Sequence, residues 1–145
     1  MHDEADRIRE LLANVNIPGR DQLPDVDEPD DGGSEGGVVL REQLRRERDP
    51  KLRRKKLEDV KCRGLPIACE VCTFDFSRFY GTHGLDYIEV HHRTPLAVTG
   101  KTRTRISDLA LLCSNCHRMI HRSRQWLTVE ELVGLVAAQR PGADE

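Results

Sequence analysis

The sequence predicts a small α+β domain in the order strand, loop, strand, helix, with further helices before and after it. Three observations predict it. Residues 87–92, YIEVHH, alternate and are rich in Tyr, Ile and Val, which suits a strand. Residues 109–112, LALL, read as the returning strand, and Ser114 is placed to cap a helix over 115–123. Two C-x-x-C pairs, Cys69 with Cys72 and Cys113 with Cys116, bracket this unit and have the spacing of zinc knuckles. Four thiols imply one closed structural zinc at the strand–helix corner.

The flanking elements follow from periodicity and punctuation. Ile8, Leu11, Leu12 and Val15 recur at helical spacing over a short helix from residue 3 to 14, with Asp3 as its cap. Residues 16–37 hold three prolines, a string of acids and five glycines. Such a composition cannot repay its ordering entropy, so residues 1–37 read as a short helix followed by an acidic disordered linker. An acidic arm that covers a basic surface is the alternative. Residues 38–66 form a basic helical segment, read as helices over 38–48 and 50–63 with Asp49 and Pro50 starting the second. Residues 67–140 make up the main domain and 141–145 a tail. Its last helix opens on a T-x-x-E capping box, Thr128 and Glu131, with Trp126 packing where it meets the core. Phe74, Phe76 and Phe79 are all the phenylalanines and are expected to pack together as a miniature core beside the zinc, with base-stacking aromatics as the alternative. Gly81, His83 and Gly84 read as a loop, with His83 exposed.

Composition narrows the function. The chain has 145 residues, with 4% aromatic and 33% charged residues. One small domain with tails fits that length, and a core this poor in aromatics is expected to need a metal clamp. No apolar run reaches the ~18–20 residues of a membrane span, and the N-terminus does not read as a signal peptide. Paired knuckles without export point to a reducing, cytoplasmic setting in which thiols bind metal. Cys62 is the odd cysteine and reads as a free thiol.

The net charge of −2 hides a segregation. Residues 1–40 carry −8, 41–65 carry +6, 66–126 carry +3 and 127–145 carry −3. The knuckles therefore lie in a positive block, which suits a phosphate backbone. A merely solvated charge pattern is the alternative for residues 41–56.

The histidines supply chemistry that a structural zinc does not use. His117 and His121 are four apart, share one face of a helix and can share a metal. His117 also adjoins Cys116, so its backbone is held by the structural site. His91 and His92 are neighbours on a strand and point to opposite faces, so they need different tasks.

HH-x-x-P-L at residues 91–96, D-L-A-L-L-C-x-x-C-H at 108–117 and a final His121 resemble the HNH endonucleases. The flanking cysteines, with F-D-F and Y-G before the His pair, resemble the McrA-like branch of that family. The resemblance covers roughly residues 57–136. It implies a ββα-metal core (the His-Me finger) and metal-dependent hydrolysis of DNA phosphodiester bonds. It also implies His91 as a metal ligand and His92 as general base, with a twist or bend near Pro95 bringing both rings toward the helix. His117 and His121 complete the catalytic-ion set, which takes Mg, Mn, Ni or Zn; three histidines favour a transition metal.

The central Asn of the family's name is replaced by Asp108. Its carboxylate can orient the His92 loop or ring, approach the metal, or cap a turn. Glu89 shares a strand face with His91 and either orients a ligand imidazole or faces solvent. Arg93, Lys101, Arg103, Arg105 and Arg118 are candidate phosphate contacts. DNA is the expected partner and no membrane is expected. A homodimer or a separate specificity domain or subunit stays open, as does a restriction, phage or mobile-element origin. The competing reading is a non-catalytic zinc-ribbon DNA-binding module. It would use the cysteines and cations but has no task for the His91–His92 pair or for His121.

Overall fold

The computed structural model describes residues 4–14, 49–95, 103–122 and 125–140. The expected linker over 16–37, the helix over 38–48, Asp3, Val15, Lys101 and the tail lie outside these.

Helix α1 (Glu4–Ala13) buries Ala5, Ile8 and Leu12. Its Arg9 reaches across the fold to the Glu131 carboxylate and donates to the Trp126 carbonyl. Helix α2 (Pro50–Cys62) starts as its sequence dictates. Pro50 needs no N–H in the first turn, and the Asp49 carboxylate accepts from the N–H groups of Lys51 and Leu52. The helix stops at Arg63 and Gly64, where Gly64 takes φ +69°.

A short helix, α3 (Phe76–Tyr80), carries two of the three phenylalanines, and a 3-10 turn (Gly81–Gly84) stands where the sequence suggests loop. Asp75 caps α3 through the N–H groups of Ser77 and Arg78. A Cβ at Gly84 would lie 2.2 Å from the Phe76 carbonyl oxygen, so only glycine lets the turn pack on α3.

Strands β1 (Glu89–His92) and β2 (Leu109–Leu112) form an antiparallel pair. The register sets Glu89 opposite Leu112, Val90 opposite Leu111, His91 opposite Ala110 and His92 opposite Leu109. The free edge of β2 is covered by the first knuckle, where the Glu70 N–H donates to the Leu111 carbonyl at 2.8 Å. A 3-10 turn (Ile106–Asp108) leads into β2. Helix α4 (Ser114–Arg122) follows β2 directly, and α5 (Val129–Ala138) closes the described chain. Thr128 and Glu131 form the expected capping box at α5.

Every residue of LALL is buried because β2 has core on both faces. Leu109 and Leu111 join Val90, Leu57 and Val60 under α2. Ala110 and Leu112 join the cysteines, Ile120 of α4, and Val129 and Leu132 of α5. Each of the fully buried leucines contributes about 1.5–3 kcal/mol. Phe76 packs against both clusters and Phe74 against the cysteine side. Phe79 departs from the expectation. It lies on the outer side of α3, well exposed, because the five-residue helix has one inward face and Phe76 fills it.

Candidate metal centres and active site

Cys69, Cys72, Cys113 and Cys116 converge, with one sulfur from each within 4.8 Å of the others. Tetrahedral zinc–thiolate bonds of about 2.3 Å set sulfurs roughly 3.8 Å apart. Cys72 Sγ and Cys113 Sγ are 3.7 Å apart. Local turns build each knuckle. In the first, Thr73 takes φ +64° and its N–H returns to the Cys69 carbonyl. In the second, the Cys116 N–H points at Cys113 Sγ at 3.4 Å and the His117 N–H donates to the Cys113 carbonyl.

The electrostatics favour a cation. Burial pushes the Cys113 thiol up to about 11, and charge on Cys69 adds to the rise. Burial, then repulsion from Cys69, raises Cys116 further. Burial also opposes ionisation of Cys69, yet hydrogen bonds from the backbone at Cys113, Cys72 and Val71 outweigh it and bring that thiol below its usual range. The pocket tolerates one thiolate alone and resists more unless a positive ion joins them. These residues fit a divalent metal.

The second cluster lies on the α4 side of the sheet. His91 is opposite Ala110 in the register, so its ring faces α4, where His117 and His121 present one turn of the helix. The three ring centroids are 5.0, 5.1 and 5.4 Å apart, and one nitrogen from each lies within 4.8 Å of the others. His91 and His117 are buried and His121 is half-buried. His117 Nδ1 is 2.6 Å from Glu89 Oε2, the kind of carboxylate contact that orients a ligand imidazole. The sequence had placed Glu89 beside His91 along the strand. The structure shows its partner to be the ring across the sheet–helix junction.

His92 is opposite Leu109, so its ring is on the α2 face, away from the other three. It is 6% exposed, and its Nδ1 is buried with no hydrogen-bond partner among the described residues. The bend expected to bring His92 to the helix is therefore not seen: β1 keeps a regular register with β2, which leaves His91, His117 and His121 on one face and His92 on the other.

Comparison with known proteins bears on these same residues. Residues 69–123 match the model described as HNH endonuclease. They form an HNH endonuclease domain. The match begins at the first thiol and ends just past His121, so both clusters lie inside it. The strand pair and α4 form its ββα-metal core. A stretch of 56 residues is 41% identical to part of the type IV methyl-directed restriction enzyme EcoKMcrA of Escherichia coli strain K12. That stretch covers 39% of this chain and 19% of the enzyme. No solved structure matches significantly. No described helix is long and apolar enough to cross a membrane.

The remaining expected residues take definite places around the HNH domain. The Asp108 carboxylate accepts from the Arg105 N–H at 2.8 Å, and its carbonyl accepts from the Arg93 N–H at 2.8 Å. Asp108 thus caps the 3-10 turn and ties it to the end of β1, one residue beyond His92. The Arg93 guanidinium reaches Glu70 at 2.6 Å and Glu130 at 3.2 Å. Arg103, Arg105 and Arg118 are exposed. Lys56, expected with Lys51, Arg53, Arg54 and Lys55 on the outer face of its helix, is instead turned inward. It is buried, with Nζ 3.4 Å from the Ile106 carbonyl, and it links α2 to the same turn. Its place on the inward side of α2 beside Leu57 and Val60 was the available signal.

Proposed function

We propose that this chain is a metal-dependent endonuclease that hydrolyses DNA phosphodiester bonds. The four thiols hold a structural zinc, and His91, His117 and His121 hold a catalytic divalent ion. The observation that carries this reading is the convergence of three imidazoles beside a helix whose first turn is braced by the thiol cluster. A purely structural zinc module has no use for that second cluster.

A bound divalent ion supplies stabilisation of the charge that develops on the phosphate and the leaving oxygen. The chain's own residues do the rest. Glu89 fixes the His117 ring and keeps a proton on Nδ1, so Nε2 presents its lone pair. Cys113 and Cys116 hold the start of α4, which keeps His117 and His121 in register with β1. The base role of His92, whose Nε2 would accept the proton of the attacking water, rests on the family resemblance; with its ring on the α2 face, the role requires that ring to turn toward the phosphate. Asp108 is a positioning residue: through Arg93 and Arg105 it determines where β1 ends and hence where His92 sits.

Arg103, Arg105, Arg118 and Lys101 supply phosphate contacts that position the duplex without reading sequence. Arg93 joins them only by exchanging Glu70 and Glu130 for phosphate. Exposed pairs of this kind are worth about 0–1 kcal/mol, so the exchange costs little. Three imidazole ligands favour a transition metal over magnesium. Four free knuckle thiols fit a reducing, cytoplasmic location.

Selection between modified and unmodified DNA is assigned to a second copy of the chain or to a separate specificity domain or subunit. Cleavage of matched modified and unmodified duplexes by the chain alone tests that assignment. The nuclease reading itself is tested by incubating supercoiled plasmid with the purified chain and Mg, Mn, Ni or Zn, beside His117→Ala. Nicking by the parent and none by the variant is expected. DNA binding without nicking under every metal would leave the non-catalytic zinc-ribbon module.

A further inference from the structure

The segment after the first knuckle leaves more ring surface in water than a core requires. Phe79 is 69% exposed, Tyr80 54% and Tyr87 50%, with Leu85 exposed beside them. These rings are organised by contact with one another. Phe79 lies 4.7 Å from Tyr80 and 5.4 Å from Phe74, and Tyr87 lies edge-on to Phe76 at 4.7 Å. Phe76 is anchored in both core clusters, and Gly84 lets the 3-10 turn close tightly on its backbone. The outer rings therefore sit on a fixed base. A contiguous exposed apolar patch on a small domain marks a contact surface.

The charge beside the patch says what it contacts. Helix α2 carries six basic and two acidic side chains, and Lys51 and Lys55 lie on its exposed face. The helix is joined to the edge of the patch. Lys61 pairs with Asp86 at 2.6 Å, and the Arg53 guanidinium donates to the Asp86 carbonyl at 2.6 Å, next to Tyr87. Cations that follow a backbone beside rings that accept bases are the two requirements of single-strand binding.

We propose that the Phe79–Tyr80–Tyr87 platform stacks unpaired bases of a DNA strand whose phosphates run along α2. The preferred target is then DNA with bases out of the stack, as in a single strand, a bulge or an extruded nucleotide. This rests on the DNA-acting reading above and adds to it the form of the DNA.

The test is binding of the full, zinc-loaded chain, without added catalytic ion, to labelled oligonucleotides followed by fluorescence anisotropy. Three forms are compared at one salt concentration: a paired duplex, the same duplex with a bulge, and a single strand. Base–aromatic stacking is worth about 1–3 kcal/mol per base, so Phe79→Ala should weaken bulged and single-strand binding by about fivefold or more. The paired duplex should bind as before, and Phe79→Tyr should restore the loss. Lys55→Ala should weaken all three forms alike.

Equal loss on all three forms, or no loss on any, overturns the proposal. So does a parent dimer that sediments as a monomer after Phe79→Ala, because a second copy of the chain would then be the occupant. Failure of the nuclease reading looks different: ring-dependent binding with no nicking under any metal.

Discussion

Glu89 and His117 meet across the junction of β1 and α4, with Oε2 2.6 Å from Nδ1. The His117 side chain is almost wholly buried, while the carboxylate keeps a quarter of its surface. One contact therefore orients the ring. Glu89→Gln is expected to lower metal affinity at the histidine site by about 10–100-fold. Zinc in the cysteine site should be unchanged. Titration of the zinc-loaded protein with Mn or Ni, read by calorimetry, checks it; an unchanged affinity would contradict the assignment.

His92 is the residue whose removal should separate chemistry from binding. His92→Ala is expected to lower the nicking rate by about 10²–10⁴-fold, the usual contribution of a general base. Bound metal and DNA affinity should stay near those of the parent. Single-turnover nicking, with metal content measured on the same sample, gives the answer. Retained nicking at the parent rate would remove the base role.

Asp108 acts through the turn it caps. Asp108→Asn keeps an oxygen for the Arg105 N–H and should retain most activity. Asp108→Ala loses the cap, at a cost of about 0.5–2 kcal/mol. Nicking should fall, with the shape of its pH profile unchanged. A profile that shifts with Asp108→Asn would instead mean that the carboxylate itself takes part in the chemistry.

The thiol site should bind zinc with release of protons. Cys113 titrates at about 11 and Cys116 higher, so both are protonated at neutral pH without metal. Metal binding needs them as thiolates. Apparent affinity should therefore rise by at least two orders of magnitude per pH unit between pH 7 and 8, one for each of these two protons released. The enthalpy of binding should also depend on the buffer's own protonation enthalpy. Cys69→Ser should lose zinc and the cooperative unfolding transition together; a folded, metal-free Cys69→Ser protein would overturn the structural role.

Glu131 gives a pH dependence whose sign follows from its partners. The Thr128 N–H, then Arg9, hold its carboxyl below the usual range. A depressed folded pKa contributes stability that is present above the unfolded value and is lost as pH falls through the folded one. The gap in melting temperature between the parent and Glu131→Gln should therefore be widest near neutral pH and close in acid. A gap that widens below pH 4.5 would contradict the pairing.

Much of this was legible in the residues. The two C-x-x-C pairs, the alternation of 87–92, the spacing of His117 and His121 and the T-x-x-E box are local signals, and local geometry decides them. The opposite facing of His91 and His92 is equally local, since a strand turns successive side chains to opposite sides. Less was legible at 74–88. There the crowding of rings suggested a core, but a five-residue helix buried Phe76 and turned Phe79 outward.

By itself, then, the sequence determined the metal knuckles, the strand–strand–helix order and the choice of imidazoles, because each depends on neighbours within one turn or one strand. The tertiary structure alone decided that Glu89 serves His117, that Arg93 is held by Glu70 and Glu130, and that Lys56 is buried against the turn before β2. Those pairings join residues 23 to 50 positions apart. No periodicity spans such distances; only the packing of α2 and α4 on opposite faces of β2 brings them together.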